Sequence, residues 1–491
     1  MAEADEQENL AKEVSEFLNK CYKQLPARHL GLETYLYKRS YPADHPVDGT
    51  KCRAIPVVTG SKAEFYIDPM LKCFGDVDIM YHYSNELAIP VGHQPPTQLP
   101  TEFDSRVKVF ELVDSHVPGY VYLNLKCMLS KRKTGSRYTV AINRQKDVLS
   151  HELYVTAGIR EYAEIHGPSA CIADASHNPG IFGLPPADTV PCVRCLIWPK
   201  QAATWPTRHR NYDWPDSETV ARAVSNGCDV VGVAHTLCAQ DEWMSKHQWR
   251  LSFSRAEVVL LNSWTPIQQM IYHMIRIFMK KERLIGLKGA VNTDKSMFSN
   301  YHIKTMMLWA CEIKPMHWWT DGTNLVSLSV QCFLFLEEWI TKRRGQHYFI
   351  KSVHFLNYVD TLSVNTVTAV VKSTTDNCLA QWFVDNYMHK CAELCPDNLP
   401  ILYSDVVTKE MVHDTATAIL KWKNHIFVSA WLERSFSSTM SGLKLPLFRS
   451  WDLPVLDHLF TFVRPRMFSA FVHEQNECDT SYADSGFLNA F

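Results

Sequence analysis

The residues best equipped for chemistry lie between positions 57 and 80. There Val57-Val58-Thr59-Gly60-Ser61-Lys62-Ala63-Glu64 is followed by Gly75-Asp76-Val77-Asp78-Ile79-Met80. Side chains alternate faces along a strand, so Asp76 and Asp78 are expected to leave one face while Val77 and Ile79 turn to the core. Two carboxylates on one face are hard oxygen ligands of the kind Mg²⁺ takes, commonly together with substrate phosphates. The Gly60-Ser61 turn ahead of them can offer backbone N–H groups and a hydroxyl to a triphosphate, because glycine lets the main chain come close. The competing reading is a pair of solvated acids at a strand edge. A two-ion site needs a third carboxylate on a neighbouring strand, ~4.8 Å away. Asp188, which opens Thr189-Val190-Pro191-Cys192-Val193-Arg194-Cys195, is the candidate, although an acid in that position is commonly a turn residue. The chain has no Walker-A motif and no GxGxxG, and Met80 stands where an EF-hand loop needs an oxygen ligand.

The elements that must position these acids follow from hydrophobic period. Short β-branched segments at 53–58, 76–83, 107–113, 120–125, 138–143 and 189–197, punctuated by Gly, Pro and Asn, predict a mixed α/β lobe built on a sheet over 50–215. Ahead of it, within an entry segment 1–49, Leu10, Val14, Phe17, Leu18, Cys21 and Leu25 recur at helical spacing and predict an amphipathic helix over 8–25 that stops before Pro26. From about 216 to 474 the helical period dominates. Thr265-Pro266 reads as a cap followed by proline at the first helical position, and Ile267, Met270, Ile271, Met274 and Phe278 form the stripe behind it. A second helix follows Ser299 with Ile303, Met307 and Ala310, and a third carries Leu325, Leu328, Cys332, Leu336 and Ile340. Segment 351–405 reads as short strand or helix, 406–435 as helix, and 475–491 as a polar, flexible tail. The fold class is α/β plus α, without internal repeats.

Composition bounds the function. In 491 residues, 46% apolar and 21% charged side chains exclude a disordered chain, and a net charge of −2 excludes nucleic-acid binding by bulk charge. MAEADEQENLAKEV carries no apolar signal region, and no run reaches the ~18 apolar residues of a membrane span, so no membrane association is expected. Fifteen cysteines, an odd number without a secretory signal, read as reduced thiols in a cytosolic or nuclear protein. Cys192 and Cys195 stand three apart on a strand and hence on opposite faces. With Cys391 and Cys395 they do not assemble a four-ligand site, so no structural zinc is expected.

Taken in order, Gly60-Ser61, Asp76-Val77-Asp78, Asp188 through Cys195, Trp198-Pro199, Trp249-Arg250-Leu251-Ser252-Phe253-Ser254-Arg255-Ala256-Glu257 and Phe298 through Thr305 with Lys314-Pro315 and Trp318-Trp319 resemble the cyclic GMP-AMP synthase-like receptors of the male-abnormal (Mab-twenty-one) family. The Phe333–Phe349 stretch with its Tyr-Phe-Ile end is similar too, and the resemblance covers roughly residues 50–360. It implies a bilobal, polymerase-beta-like nucleotidyltransferase fold with an N-terminal spine helix and a helical C-terminal lobe. It implies that Asp76, Asp78 and Asp188 hold two Mg²⁺ (or Mn²⁺) ions and that Gly60 and Ser61 hold the donor triphosphate. By the same resemblance Tyr301 stacks a base and Arg250 meets the acceptor base or phosphate. Glu257, Ser299 and Lys280 belong to the same nucleotide-binding set. Structural alternatives stand beside these roles. Tyr301 also suits a core, Ser254-x-x-Glu257 fits a helix capping box, which is the favoured role for Ser254, and Arg276 competes with Lys280 for the phosphate. The chain departs from the vertebrate DNA-sensing relatives in running Leu260-Leu261-Asn262-Ser263-Trp264-Thr265 straight into the next helix with no zinc-binding insertion, and in carrying bulky Phe65-Tyr66 after the Gly-Ser turn.

Two basic stretches stand out on this near-neutral chain. Residues 126–146, with Lys131, Arg132, Lys133 and Arg137 at their centre, carry a net +7, and 276–304 a net +5. Such surfaces suit long phosphate polymers, and double-stranded RNA is read mainly by shape. The leading expectation is a cytoplasmic nucleotidyltransferase that joins two triphosphates such as ATP and GTP into a cyclic dinucleotide, activated by double-stranded nucleic acid as an innate immune sensor. The alternatives are a catalytically silent scaffold of the same fold and a template-independent RNA-tailing enzyme.

Overall fold

Along Lys51 to Thr59, Ile55, Val57 and Thr59 are buried at alternate positions, the pattern of a strand with one face on a core. The computed structural model describes residues 10–19, 41–64, 77–131, 137–143, 147–152, 154, 164–166, 169–172, 187–238, 240–285, 298–320, 324–342 and 345–387. The strands are β1 (Tyr41–Asp44), β2 (Lys51–Thr59), β3 (Val77–Tyr83), β4 (Glu86–Pro90), β5 (Arg106–Asp114), β6 (Tyr120–Lys131), β7 (Tyr138–Asn143), β8 (Glu164–His166), β9 (Ser169–Ile172), β10 (Ala187–Cys195), β11 (Cys228–Val231) and β12 (Gln248–Ser252). The helices are α1 (residues 10–19), α2 (Gly60–Glu64), α3 (Ser217–Ser225), α4 (Glu242–His247), α5 (Ser254–Asn262), α6 (Pro266–Lys281), α7 (Asn300–Ile313), α8 (Leu325–Thr341), α9 (Thr361–Ser373) and α10 (Asp376–Asn386). The chain forms two compact units, one of 27–321 with 327–374 and one of 1–26 with 322–326 and 375–491.

In the larger unit the described strands make one sheet in the order β1-β2-β3-β10-β11-β12-β6-β5-β4. β7 extends β6 and the β8–β9 hairpin joins β10. A further pairing of Cys195 with Ala88 brings the end of β10 back to β4, so the sheet curls toward closure. β4 is consequently hydrogen-bonded on both edges and buried at all five positions. Five residues without alternation carry no strand signature of their own, which is why this strand was missed in the sequence. In β5 a register shift between Val109 and Phe110 lets both side chains be buried and resets the alternation, so that Leu112 is buried in its turn. Leu87, Ile89, Val107, Val109, Cys127, Leu129 and Tyr138 form the core this part of the sheet encloses.

The expected boundary near 215 does not end the sheet. β11 and β12 lie beyond it and pair with β10 and β6. Both strands are four or five residues long, and Asp229 and Arg250 interrupt their apolar pattern, so helical period outweighed them in the sequence. The helices expected after Thr265 and Ser299 start where predicted. Thr265 caps α6 through a reciprocal pairing with Gln268, with Pro266 at the first position. Segment 351–387 is helical, as α9, α10 and a single 3₁₀ turn at Phe355–Tyr358. The expected helix at 406–435 and the tail at 475–491 lie outside the described residues.

The aromatic motif residues build the interior. Phe253 stacks on Phe349 at 4.6 Å, and Trp205 and Trp198 pack against the pair at 5.0 and 5.2 Å. Aromatic pairs of this kind contribute ~0.5–1.5 kcal/mol beyond their burial. Arg208 lies over Trp309 and Tyr348, with its guanidinium on Glu312 at 2.5 Å.

In the smaller unit, α1 buries Val14, Phe17 and Leu18 from the predicted stripe, and Ser15 Oγ accepts the Val326 N–H at 3.1 Å. Thr375 caps α10, whose Leu379, Ala380 and Phe383 are buried. Cys21 and Leu25 lie outside the described residues.

Behind the sheet of the larger unit, Asp229 of β11 is buried between two arginines, with Arg255 Nε at 2.8 Å and Arg194 at 3.9 Å. Burial opposes its charge, but the two guanidiniums outweigh that and hold the carboxyl below the ordinary range. Arg255→Met should therefore cost about 3–5 kcal/mol, measured by urea unfolding at neutral pH, because a buried carboxylate loses its main partner. A carboxyl lowered by folding stabilises above its unfolded pKa of about 3.9 and loses that contribution as pH falls through its folded value. The gap between wild type and variant should accordingly narrow in acid.

Candidate active site

Asp78 sits between two strands in register. Its Cα partners are Thr59 on β2 and Asp188 on parallel β10. Neighbouring strands lie ~4.8 Å apart, so the backbone brings positions 78 and 188 side by side. The next residue after Thr59, Gly60, turns in the left-handed region at φ +57° and lies directly on the Asp78 carboxylate. A Cβ built there would stand 1.8 Å from Asp78 Oδ2 and 2.6 Å from Cγ. No other residue fits without displacing the carboxylate, so glycine is required both by φ and by space. Asp76 lies outside the described residues, as do the side chains of Ser61 and Asp188.

A second cluster forms where α2, α5 and α7 meet. Lys304 donates to Glu64 at 2.5 Å and to Glu257 at 2.9 Å, and all three residues are buried. Burial works against the ammonium, but Glu257 and Glu64 outweigh it and push its pKa well above the usual lysine value. Tyr301, one turn ahead of Lys304, donates its hydroxyl to the other oxygen of Glu257 at 2.9 Å. Burial and the Glu257 carboxylate raise the phenol well above its normal range, so it stays a donor.

His347 completes the chain. Its Nδ1 accepts the backbone N–H groups of Phe349 and Ile350 at 2.9 and 3.1 Å. Nδ1 is therefore unprotonated, and Nε2 carries the hydrogen donated to Tyr301 Oη at 3.2 Å. The tautomer is set by geometry, and burial keeps the ring neutral by lowering its pKa to about 4. The exposed Arg250 is close enough to act electrostatically on both Tyr301 and His347.

Of the residues singled out in the sequence, Arg250, Glu257 and Tyr301 thus come together. Ser254 does not cap α5. The N-cap is Phe253, without a side-chain bond, and Ser254 lies inside the first turn at 3.0 Å from Ser252 Oγ. Glu257 falls one position too deep for a capping box and turns to Lys304 and Tyr301 instead. Ser299 is the N-cap of α7 and its N–H donates to His302 Nδ1 at 3.0 Å. Arg276 is buried, with its guanidinium over Tyr272 at 5.4 Å, whereas Lys280 is exposed in the last turn of α6.

Among the described residues, part of the charge of the basic stretches is not free at the surface. Lys304 and Arg276 are interior, and Lys126 is neutralised by Glu111 at 2.9 Å. Lys131 stands over the Tyr138 ring and Arg137 is exposed, while Arg132 and Lys133 lie outside the described residues. Sequence reasoning missed the roles of Glu64, Lys304 and His347. Glu64 stands four residues after Gly60 and Lys304 three after Tyr301, which are helical spacings that signal a shared face; nothing local marks His347.

The nine cysteines whose side chains are described are free thiols. Among the described residues, no cluster of three or more His, Cys, Asp or Glu side chains could hold a metal, and no helix is long and apolar enough to cross a membrane.

A mixed sheet that sets one acid beside another beneath a glycine turn, with helices packed behind it, fits a nucleotidyltransferase domain with a helical companion. The comparisons agree. Residues 186–263 match the Mab-21 protein nucleotidyltransferase domain, and residues 269–373 match the Mab-21 protein HhH/H2TH-like domain. The chain is 28% identical over 193 residues to Protein mab-21-like 3 of Danio rerio, covering 38% of this chain and 44% of that protein. It is 28% identical over 165 residues to Protein mab-21-like of Aedes aegypti and 27% over 168 residues to that of Drosophila melanogaster, covering 33% of this chain and 42% of each. The aligned region thus spans less than half the length of these relatives.

His151, His302 and His347 are lowered to about 4 by burial, and His273 to about 3. A base lowered by folding takes up protons more readily when unfolded, so stability should be full above about pH 6.5 and decline as pH falls toward 4. Thermal melts across that window should show the decline, and His347→Asn should make it shallower.

Proposed function

We propose that the protein is a metal-dependent nucleotidyltransferase that joins two nucleoside triphosphates, ATP and GTP among them, into a cyclic dinucleotide. The observation that carries this reading is the Gly60 turn seated on the Asp78 carboxylate, with position 188 in register on the adjoining strand. The bare glycine lets the main chain of the turn lie against the acid, where its N–H groups could meet a phosphate held by the same ions, and carboxylates are the oxygen donors that Mg²⁺ or Mn²⁺ prefers. Asp76, Asp78 and Asp188 would hold two such ions. When bound, the ions would lower the pKa of a ribose hydroxyl and neutralise the departing pyrophosphate.

This chain's own residues would do the rest. Gly60 and Ser61 would receive the donor triphosphate with main-chain N–H groups and a hydroxyl. Tyr301 would stack a base, its ring plane held by Glu257 and His347. Arg250, exposed beside it, would meet the acceptor base or phosphate with a planar, charged fork. Ser299 and Lys280 would act at the edge of the same region. Double-stranded RNA is the proposed activator, through the stretch that includes Lys131 and Arg137, and the cytoplasm the proposed compartment, in keeping with the free thiols.

The protein should be incubated with labelled ATP, GTP, UTP and CTP and Mg²⁺ or Mn²⁺, with and without double-stranded RNA and DNA. Phosphatase-resistant small products are the expected result. Ladders would instead mean tailing of RNA ends, and no turnover with any ligand would leave a binding scaffold, which the mab-21-like names of the relatives suit equally well. Asp78→Asn should lower kcat by ~10³-fold or more while the fold persists. Gly60→Ala, which crowds the carboxylate, should lose a comparable factor. Tyr301→Phe should raise KM by about threefold and Tyr301→Ala by tenfold or more, since only the second removes the ring.

A further inference from the structure

Glu64 is the last residue of the helix that Gly60 begins, so displacement of α2 is felt both at the Asp78 contact and at the Lys304 ion pair. Lys304 follows Tyr301 by three residues on α7, and successive turns of a helix move together. Glu257 joins the two, with one oxygen on the Tyr301 hydroxyl and the other on the Lys304 ammonium. Three helices therefore meet at a single charge whose side chain is only 11% exposed, held between carboxylates that are 1% and 3% exposed. In so dry a setting, sliding α2 against α7 means separating a buried ion pair or leaving a charge unmatched, and both are costly. Side-chain packing alone would tolerate small shifts; this junction does not.

We propose that Lys304 is a positioning residue that couples the Gly60–Ser61 phosphate turn to the Tyr301 ring, so that a nucleotide held at either place tightens the other. The proposal rests on the nucleotidyltransferase reading and deepens it. It assigns to this cluster the communication between donor and acceptor sites, with Glu64 transmitting from the turn and Glu257 from the ring. Coupling of this kind is reciprocal for binding, so a nucleotide at either place must tighten the other by the same factor.

Hydrogen exchange of the full chain without nucleotide tests the junction directly. Peptides spanning 57–64 and 299–305 would be followed in wild type, Glu64→Gln and Glu257→Gln. Glu64→Gln leaves one cation facing one carboxylate, so its fold should persist, and the urea midpoint checks this. Exchange should rise about fivefold or more in both segments for both variants. A change confined to the mutated segment in each variant, with the distant one within twofold of wild type, overturns the proposal. Should Glu257→Gln fail to fold, Glu64→Gln decides alone by its effect on 299–305.

With substrates, Glu64→Gln should raise KM for both nucleotides by about tenfold with kcat changed less than threefold, a split that general loss of structure would not produce, and Lys304→Arg should retain more of the coupling than Lys304→Gln. A kcat that falls while KM stays fixed counts against it. Wild-type protein that turns over no nucleotide would remove the enzymatic reading alone, since the exchange experiment decides the coupling without nucleotide.

Discussion

Strand β10 is hydrogen-bonded to β3 and β9 at its beginning and to β11 and β4 at its end, and most of the candidate site depends on those pairings. A parallel ladder holds its register only while the apolar side chains at either side remain in the core. Here Met80, Cys192 and Val231, one from each of three adjacent strands, supply that anchor. A slip of one residue in β3 would turn Asp78 and Met80 together to the other face and take the acid out from under the Gly60 turn. The chemistry of the site is thus a consequence of packing beneath it.

The aromatic motifs serve the same end by another route. Trp198, Phe253 and Phe349 come from the strand end after β10, the junction of β12 with α5, and the segment after α8, and they meet in one interior cluster. His347 stands beside Phe253 at 5.6 Å, and its two backbone donors come from Phe349 and Ile350. The ring orientation that serves Tyr301 is therefore set by the core. Residues that read as sequence signatures are in large part the mortar that brings distant segments together.

Buried charge is handled in two ways. Asp229 is matched by two arginines and knits the sheet to α5. In the Lys304 cluster one buried ammonium is shared by two carboxylates, with the exposed Arg250 nearby.

Much was legible in the order of residues. Strands at 120 and 138 begin where β-branched alternation begins, and α6 starts at its Thr-Pro cap, because these signals are local. The joint appearance of Arg250, Glu257 and Tyr301 was likewise readable from motif resemblance. β4, β11 and β12 were not, since each is short and owes its strand conformation to partners far along the chain. The role of Glu257 also escaped, because whether a glutamate caps its own helix or reaches another depends on one residue of helical phase. Sequence alone determined which acids, glycines and aromatics were present and at what local period. Tertiary structure decided which of them meet: Gly60 on Asp78, Asp188 in register with it, and Lys304 between Glu64 and Glu257 across 240 and 47 positions, pairings that arise only when sheet and helices pack.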